Sequence, residues 1–334
     1  MKQVVLNLML RARFFSLFRL ANRRHSLIVT YHRFSEKDEA DKVSAEAFDR
    51  HLDYLSRRYD ILPLSRVADL MAQGRTPPAG TAVITIDDGY SDAYKVAFPI
   101  LRKYRAPATI FVATGFVDGE SWMWTDKLRY LTARTGASEL NVEIEGRMLR
   151  LSCQDGPSRL KSAASVNAIL KKLPNDVKER VLERLSGDFG VRLPNAPPED
   201  FAPVTWEQLR EMEACGVETG SHTVTHPILT NVGPSQLDRE MRDSKLRIEK
   251  MLGRETPLFC YPNGALNAQV QRAVASAGYL CAVSTYHGLN DRDCDILALR
   301  RISADPDLAQ FAQYTSGFEH LKIRFRSARI RKGS

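Results

Sequence analysis

Short apolar, β-branched runs alternate with segments of helical period along most of this chain, and that alternation constrains its fold more than any other feature. Residues 27–31, 81–86, 108–113, 217–220, 258–261, 279–284 and 296–302 read as strands. Most are apolar throughout, as strands covered on both faces require. Between them, Phe48, Leu52, Leu55 and Tyr59 recur at helical spacing, and a helix over 65–73 stops at Gly74 and Pro77-Pro78. The helix after residue 91 must bend or stop near Pro99. A helix over 205–215 opens with Thr205 and Gln208 in capping-box spacing, and helices over 235–252 and 267–277 end at Gly253 and Gly278. About seven strand–helix units imply parallel strands, crossover helices and a barrel or strongly coiled sheet.

The rhythm breaks between about residues 121 and 203. This stretch holds Trp122, Trp124, a polar hairpin around Glu145-Gly146, a Lys/Arg-rich helical segment over 160–185 and a proline-rich exit. It reads as a helical insertion, not as an independent catalytic unit.

The net charge of +8 belongs to the ends of the chain. Residues 1–24 and 321–334 each carry six Lys/Arg and no acid, which leaves the body between them at −4. The first 24 residues form a poor secretory signal, because Asn7 interrupts the apolar run and no cleavage site follows. They read as a basic, partly amphipathic helix that rests on an anionic membrane or docks on the body. Residues 319–334 read as a basic tail. No nucleic-acid signature accompanies these ends. Five cysteines without C-x-x-C spacing argue against a disulfide framework. The expected location is the cytoplasm, peripheral to the inner membrane.

Polar residues that suit no strand interior fall just past the strands: His32, Asp87-Asp88, His222, Pro262-Asn263 and, further out, His287. Parallel α/β folds build their sites at these carboxyl ends. A helix N-cap accounts for one carboxylate after residue 86, but not for two. His222 and His226 lie four apart and point the same way if the turn after the strand is helical. With one carboxylate of the Asp87-Asp88 pair they form a two-His, one-Asp set with open positions, suited to a catalytic divalent ion, Zn²⁺ first. The second carboxylate is then free to act as a base. The turn Tyr261-Pro262-Asn263-Gly264 offers backbone N–H groups to an oxyanion.

These residues resemble the polysaccharide deacetylases of the NodB-homology type, carbohydrate esterase family 4. Thr85-Ile86-Asp87-Asp88-Gly89 is similar to the first motif and His222-Thr223-Val224-Thr225-His226 to the second. Phe259-Cys260-Tyr261-Pro262-Asn263-Gly264 is similar to the third motif in its exopolysaccharide-modifying branch. The resemblance implies a distorted (β/α)7 barrel over residues 25–318. It also implies Asp87 as general base, Asp88, His222 and His226 as metal ligands, and the Asn263 amide at the oxyanion. Two departures follow. Cys260 stands where the family has an Arg that tethers the base, so Arg301 or Arg300 is the substitute. The late Leu-x-x-His motif is not identifiable, so the acid falls to His32 or His287. Tyr261, Pro262, Trp122 and Trp124 are candidates for contact with sugar.

The function implied is N-deacetylation of amino sugars in an acetylated glycan or lipid-linked oligosaccharide. An O-acetyl glycan esterase at the same site is one alternative, and a non-catalytic, membrane-peripheral glycan-binding protein on a degenerate barrel is another.

Overall fold

The computed structural model describes residues 2–319, and a closed parallel sheet lies at its centre. Its strands are β1 (Leu27–Tyr31), β2 (Thr81–Ile86), β3 (Ala108–Val112), β4 (Val217–Ser221), β5 (Leu258–Cys260), β6 (Cys281–His287) and β7 (Leu299–Ser303). They pair in chain order, all parallel, and β7 returns to β1 with Val29 beside Ile302. The result is a seven-stranded barrel wrapped by helices. Every residue of β1, β2 and β3 is buried, which is why those runs carry no polar alternation.

Closure is uneven, and this is the distortion in the barrel. β1 and β2 stay in register from Leu27–Ala82 to Tyr31–Ile86, whereas β4 and β5 meet at one pair, Ser221 with Phe259. β6 slips against β7 between Val283 and His287. Pro99 is accommodated without a break. The helix opens into a wide turn at Ala93–Ala97 and resumes at Phe98–Tyr104, where proline's missing N–H falls in the first turn.

Between β3 and β4 the chain leaves the barrel rhythm. Helix Trp124–Arg134 is followed by the antiparallel hairpin Glu139–Ile144 with Arg147–Ser152, then by helices Gly156–Leu170 and Asn175–Asp188. Glu145 and Gly146 both take positive φ, as a two-residue hairpin turn requires. Leu128, Ile144, Val166, Leu182 and Phe189 belong to an apolar cluster separate from the barrel's.

The N-terminal residues form two helices, Lys2–Arg11 and Phe15–Ala21. They bury Leu6 and Phe15 and leave Val4, Val5, Leu8, Leu17 and Leu20 exposed. The Asn22 side chain donates to the carbonyls of Ser316 and Gly317, and the Phe318 ring meets Phe15 and Phe18 edge-on. The two ends of the chain therefore converge. Beyond Glu319, the expected basic tail lies outside the described residues. Among those described, no helix is long and apolar enough to cross a membrane.

Candidate metal centre and its cleft

The chain turns sharply where β2 ends. Asp88 and Gly89 both take positive φ, 75° and 83°. A Cβ at Gly89 would lie 3.0 Å from a Val112 methyl, so conformation and space both demand glycine there. The turn sends the two aspartates to different partners. Asp87, buried, receives a fork from Arg301: Nη1 to Oδ1 and Nη2 to Oδ2, each at 2.7 Å. Strand alternation selects this arginine, since Arg301 is buried inside β7 while Arg300 is exposed. Cys260 occupies the neighbouring space, with Sγ 3.3 Å from Arg301 Nη2 and 3.5 Å from Asp87 Oδ2. Burial opposes the charge on Asp87, but the charge and hydrogen bonds of Arg301 prevail and bring the carboxyl down to about 2.

Asp88 faces the histidines. Its Oδ1 lies 3.4 Å from Nε2 of both His222 and His226, and one donor atom from each of the three residues falls within 4.8 Å of the others. His222 Nδ1 bonds the Cys260 carbonyl at 2.7 Å, which fixes its tautomer and leaves Nε2 as the ligating nitrogen. Burial disfavours charge on both rings. At His226 burial prevails, helped by the charge of His222, and lowers the ring to about 3. At His222 the neighbouring Cys260 and the hydrogen bond to Asp88 outweigh burial, and its pKa is raised. A cation at Asp88 would take the place of the proton that His222 otherwise keeps. The donor set of two imidazoles and a carboxylate, with tautomer fixed, fits a divalent ion such as zinc.

The two histidines do not come together by a helical turn. The segment after β4 is a loop in which Thr223 and His226 take positive φ, 73° and 54°. Glu240, from helix Pro234–Leu252, clamps it: one carboxylate oxygen accepts the N–H groups of Val224 and Thr225, and the other the Thr225 hydroxyl. The turn after β5 is similarly constrained. The Tyr261 N–H donates to the Val283 carbonyl, those of Gly264 and Ala265 donate within the turn and Pro262 has none, so among the described residues Asn263, at φ 54°, holds the turn's one uncommitted backbone donor.

A cleft of about 500 Å3 gathers His32, Asp87, Asp88, His222, His226, Tyr261 and Asn263. His32 Nε2 is 3.7 Å from Asp87 Oδ2. The insertion supplies the opposite wall through Asp126, Arg129, Leu160 and Asn167. Other candidates fall elsewhere. His287 is exposed, 6.0 Å from the Tyr314 ring and not among the residues that line the cleft; the register of β6 against β7 shifts between Val283 and His287. Pro262 is buried in its turn, and the Tyr261 hydroxyl is bound to the Leu297 carbonyl. Trp122 and Trp124 line an adjoining hollow of about 660 Å3 that meets the cleft at His226. Sequence reasoning missed Glu240, Asp126 and Tyr90. Only Tyr90, directly after the first motif, carried a positional signal.

The family model for polysaccharide deacetylases matches residues 74–282. The YxkH protein of Bacillus subtilis (strain 168), whose name assigns it to the polysaccharide deacetylases, is 23% identical over 283 residues, which is 84% of this chain and 72% of that protein. The fold is similar to Streptococcus pyogenes deacetylase PplD, solved in complex with acetate, at TM-score 0.60 and 22% identity over 87% of this chain and 98% of that one. It is also similar to IcaB from Ammonifex degensii, at TM-score 0.56 and 19% identity over 87% and 97% of the two chains. This chain is a member of the polysaccharide deacetylase family.

Proposed function

We propose that the protein is a metal-dependent hydrolase that removes N-acetyl groups from amino sugars of a poly- or oligosaccharide, within the exopolysaccharide-modifying branch of the family. One observation carries the reading: Asp88, His222 and His226 converge as a ligand set beside a second carboxylate, Asp87, that is anchored separately. A protein that only bound glycan would have no need of that second carboxylate. The catalytic unit is taken as residues 25–318, with the 121–203 insertion as a wall of the cleft.

Asp88, His222 and His226 would hold the ion, Zn²⁺ by choice of donors. When bound it supplies Lewis acidity to the attacking water and the acetyl carbonyl. Asp87 accepts the water's proton. Arg301 fixes both of its oxygens, so the base is held in orientation but made weak, and it relies on an acidified water. The Asn263 amide donates to the developing oxyanion. His32, beside Asp87 and open to the cleft, gives a proton to the departing amine.

The test is acetate release from N-acetylated chito-oligosaccharides, peptidoglycan fragments and acetylated xylan. Activity on the first two, abolished by chelation and restored by zinc, is the expected result. Release from xylan alone would reassign the site to O-acetyl esters, and zinc binding without any turnover would leave a binding protein.

We also place the protein at an anionic membrane surface on the cytoplasmic side. The exposed apolar side chains of the first two helices support this, as do the basic residues of both ends and the five free cysteines. A glycan or lipid-linked oligosaccharide handled at that surface is the substrate this implies.

A further inference from the structure

Asp126 lines the cleft but has no part in the chemistry above. It comes from the insertion helix Trp124–Arg134, is 1% exposed, and shares the cleft with Asp87, Asp88, His222 and His226. The Tyr90 hydroxyl donates to its Oδ2 at 2.6 Å. Among the described residues its other oxygen receives no donor, and the residue lines the cleft. Tyr90 is itself fixed in place. The Arg33 guanidinium lies 4.0 Å over its ring, while Arg33 Nε bonds Asp92 at 2.6 Å and Nη2 bonds the Asp200 carbonyl.

A buried carboxylate held from behind, with one oxygen open, is costly unless something binds there. Burial raises this carboxyl to about 6, against the opposing effects of Tyr90, Arg33 and Arg129. At neutral pH it is therefore mostly an acceptor. Its Oδ2 already accepts from the Tyr90 hydroxyl, and a sugar hydroxyl offers Oδ1 the same kind of neutral donor.

We propose that Asp126 is a specificity residue whose free oxygen accepts a hydrogen bond from a ring hydroxyl of the acetylated sugar, presenting the acetamido group to Asp87. The insertion then selects the substrate as well as walling the cleft. This rests on the deacetylase reading.

The experiment is a cycle of two proteins and three substrates: wild type and Asp126→Asn, each with N-acetylchitotriose and its 3-deoxy and 6-deoxy analogues. Asp126→Asn is expected to lower kcat/KM on the intact trimer tenfold or more. Loss of one hydroxyl costs the wild type a similar factor and costs the variant nothing further. A structural role would make the losses multiply for both analogues, and that result overturns the inference, as does an unchanged kcat/KM. Asp126→Ser enters the same cycle if the amide variant fails to fold. Release of acetate by the wild type from peptidoglycan fragments but from none of the three overturns this inference and leaves the deacetylase reading standing, whereas release from neither overturns both.

Discussion

Asp87 is the residue on which the proposed chemistry turns, and its partner could be only half read from sequence. The aspartate pair and the two histidines were legible because charged side chains rarely end apolar strands without a task. The missing arginine was legible as an absence at Cys260, and two replacements stood side by side at residues 300 and 301. Only the inward pointing of alternate residues in β7 separates them. The place of His287 outside the cleft lining was not legible either, since the shift of register in β6 cannot be seen in a list of residues. Arg301→Gln is expected to leave Asp87 buried with no cation, destabilising the fold by about 3–5 kcal/mol and cutting kcat at least a hundredfold. In the wild type the folded pKa of Asp87 is depressed. Its stabilisation is therefore present above the unfolded value near 3.9 and is lost only as pH falls through about 2. Urea unfolding between pH 7 and 4 should show no loss from this pair, and an acid limb that moves upward should appear in the pH–rate profile of the variant.

Among the elements, the loop after β4 and the part the insertion takes in lining the cleft were the least legible. The histidine spacing suggested a helical turn, but Glu240, fourteen residues downstream of His226 on the next long helix, holds a looser conformation, and no local pattern marks that glutamate among its charged neighbours. Glu240→Ala is expected to weaken zinc binding ten- to hundredfold, read by competition with a chromophoric chelator, with little change in the barrel's unfolding. Asp126 was hidden likewise, two residues past a tryptophan in a segment that reads as an appendage. Its folded pKa of about 6 is raised by burial, so the carboxyl costs folding stability that is absent below the unfolded value near 3.9, grows as pH rises to about 6 and is constant above it. The melting temperature of Asp126→Asn, measured in chelator, should therefore gain on the wild type as pH rises from 4 to 6 and hold that gain to pH 8. An advantage that does not change with pH would contradict this.

At the scale of the whole molecule, charge and shape divide the labour. The body between the basic ends is acidic, and the ends meet through Asn22 and Phe318. Basic clusters are worth about 1 kcal/mol per residue near an anionic surface. Flotation with phosphatidylglycerol vesicles should therefore capture the full chain at low salt and release it at 0.5 M NaCl. Removal of residues 320–334, or Leu17→Ser with Leu20→Ser, should each weaken capture, and neutral vesicles should take up none. The convergence was not legible, because 294 residues separate Asn22 from Ser316.

Asp88, Thr223, His226 and Asn263 share one backbone property: each takes the left-handed conformation that side chains other than glycine's resist. Three of the four carry groups assigned above to the chemistry. Half of the eight non-glycine residues with positive φ among those described thus lie at the candidate site. A lineage that kept this gene for abundance alone would drift first at these positions, toward glycine. Asn263→Gly should melt a few degrees higher than the wild type while turning over more slowly, and a homologue found with glycines here would be a retired enzyme that outlasts its working relatives.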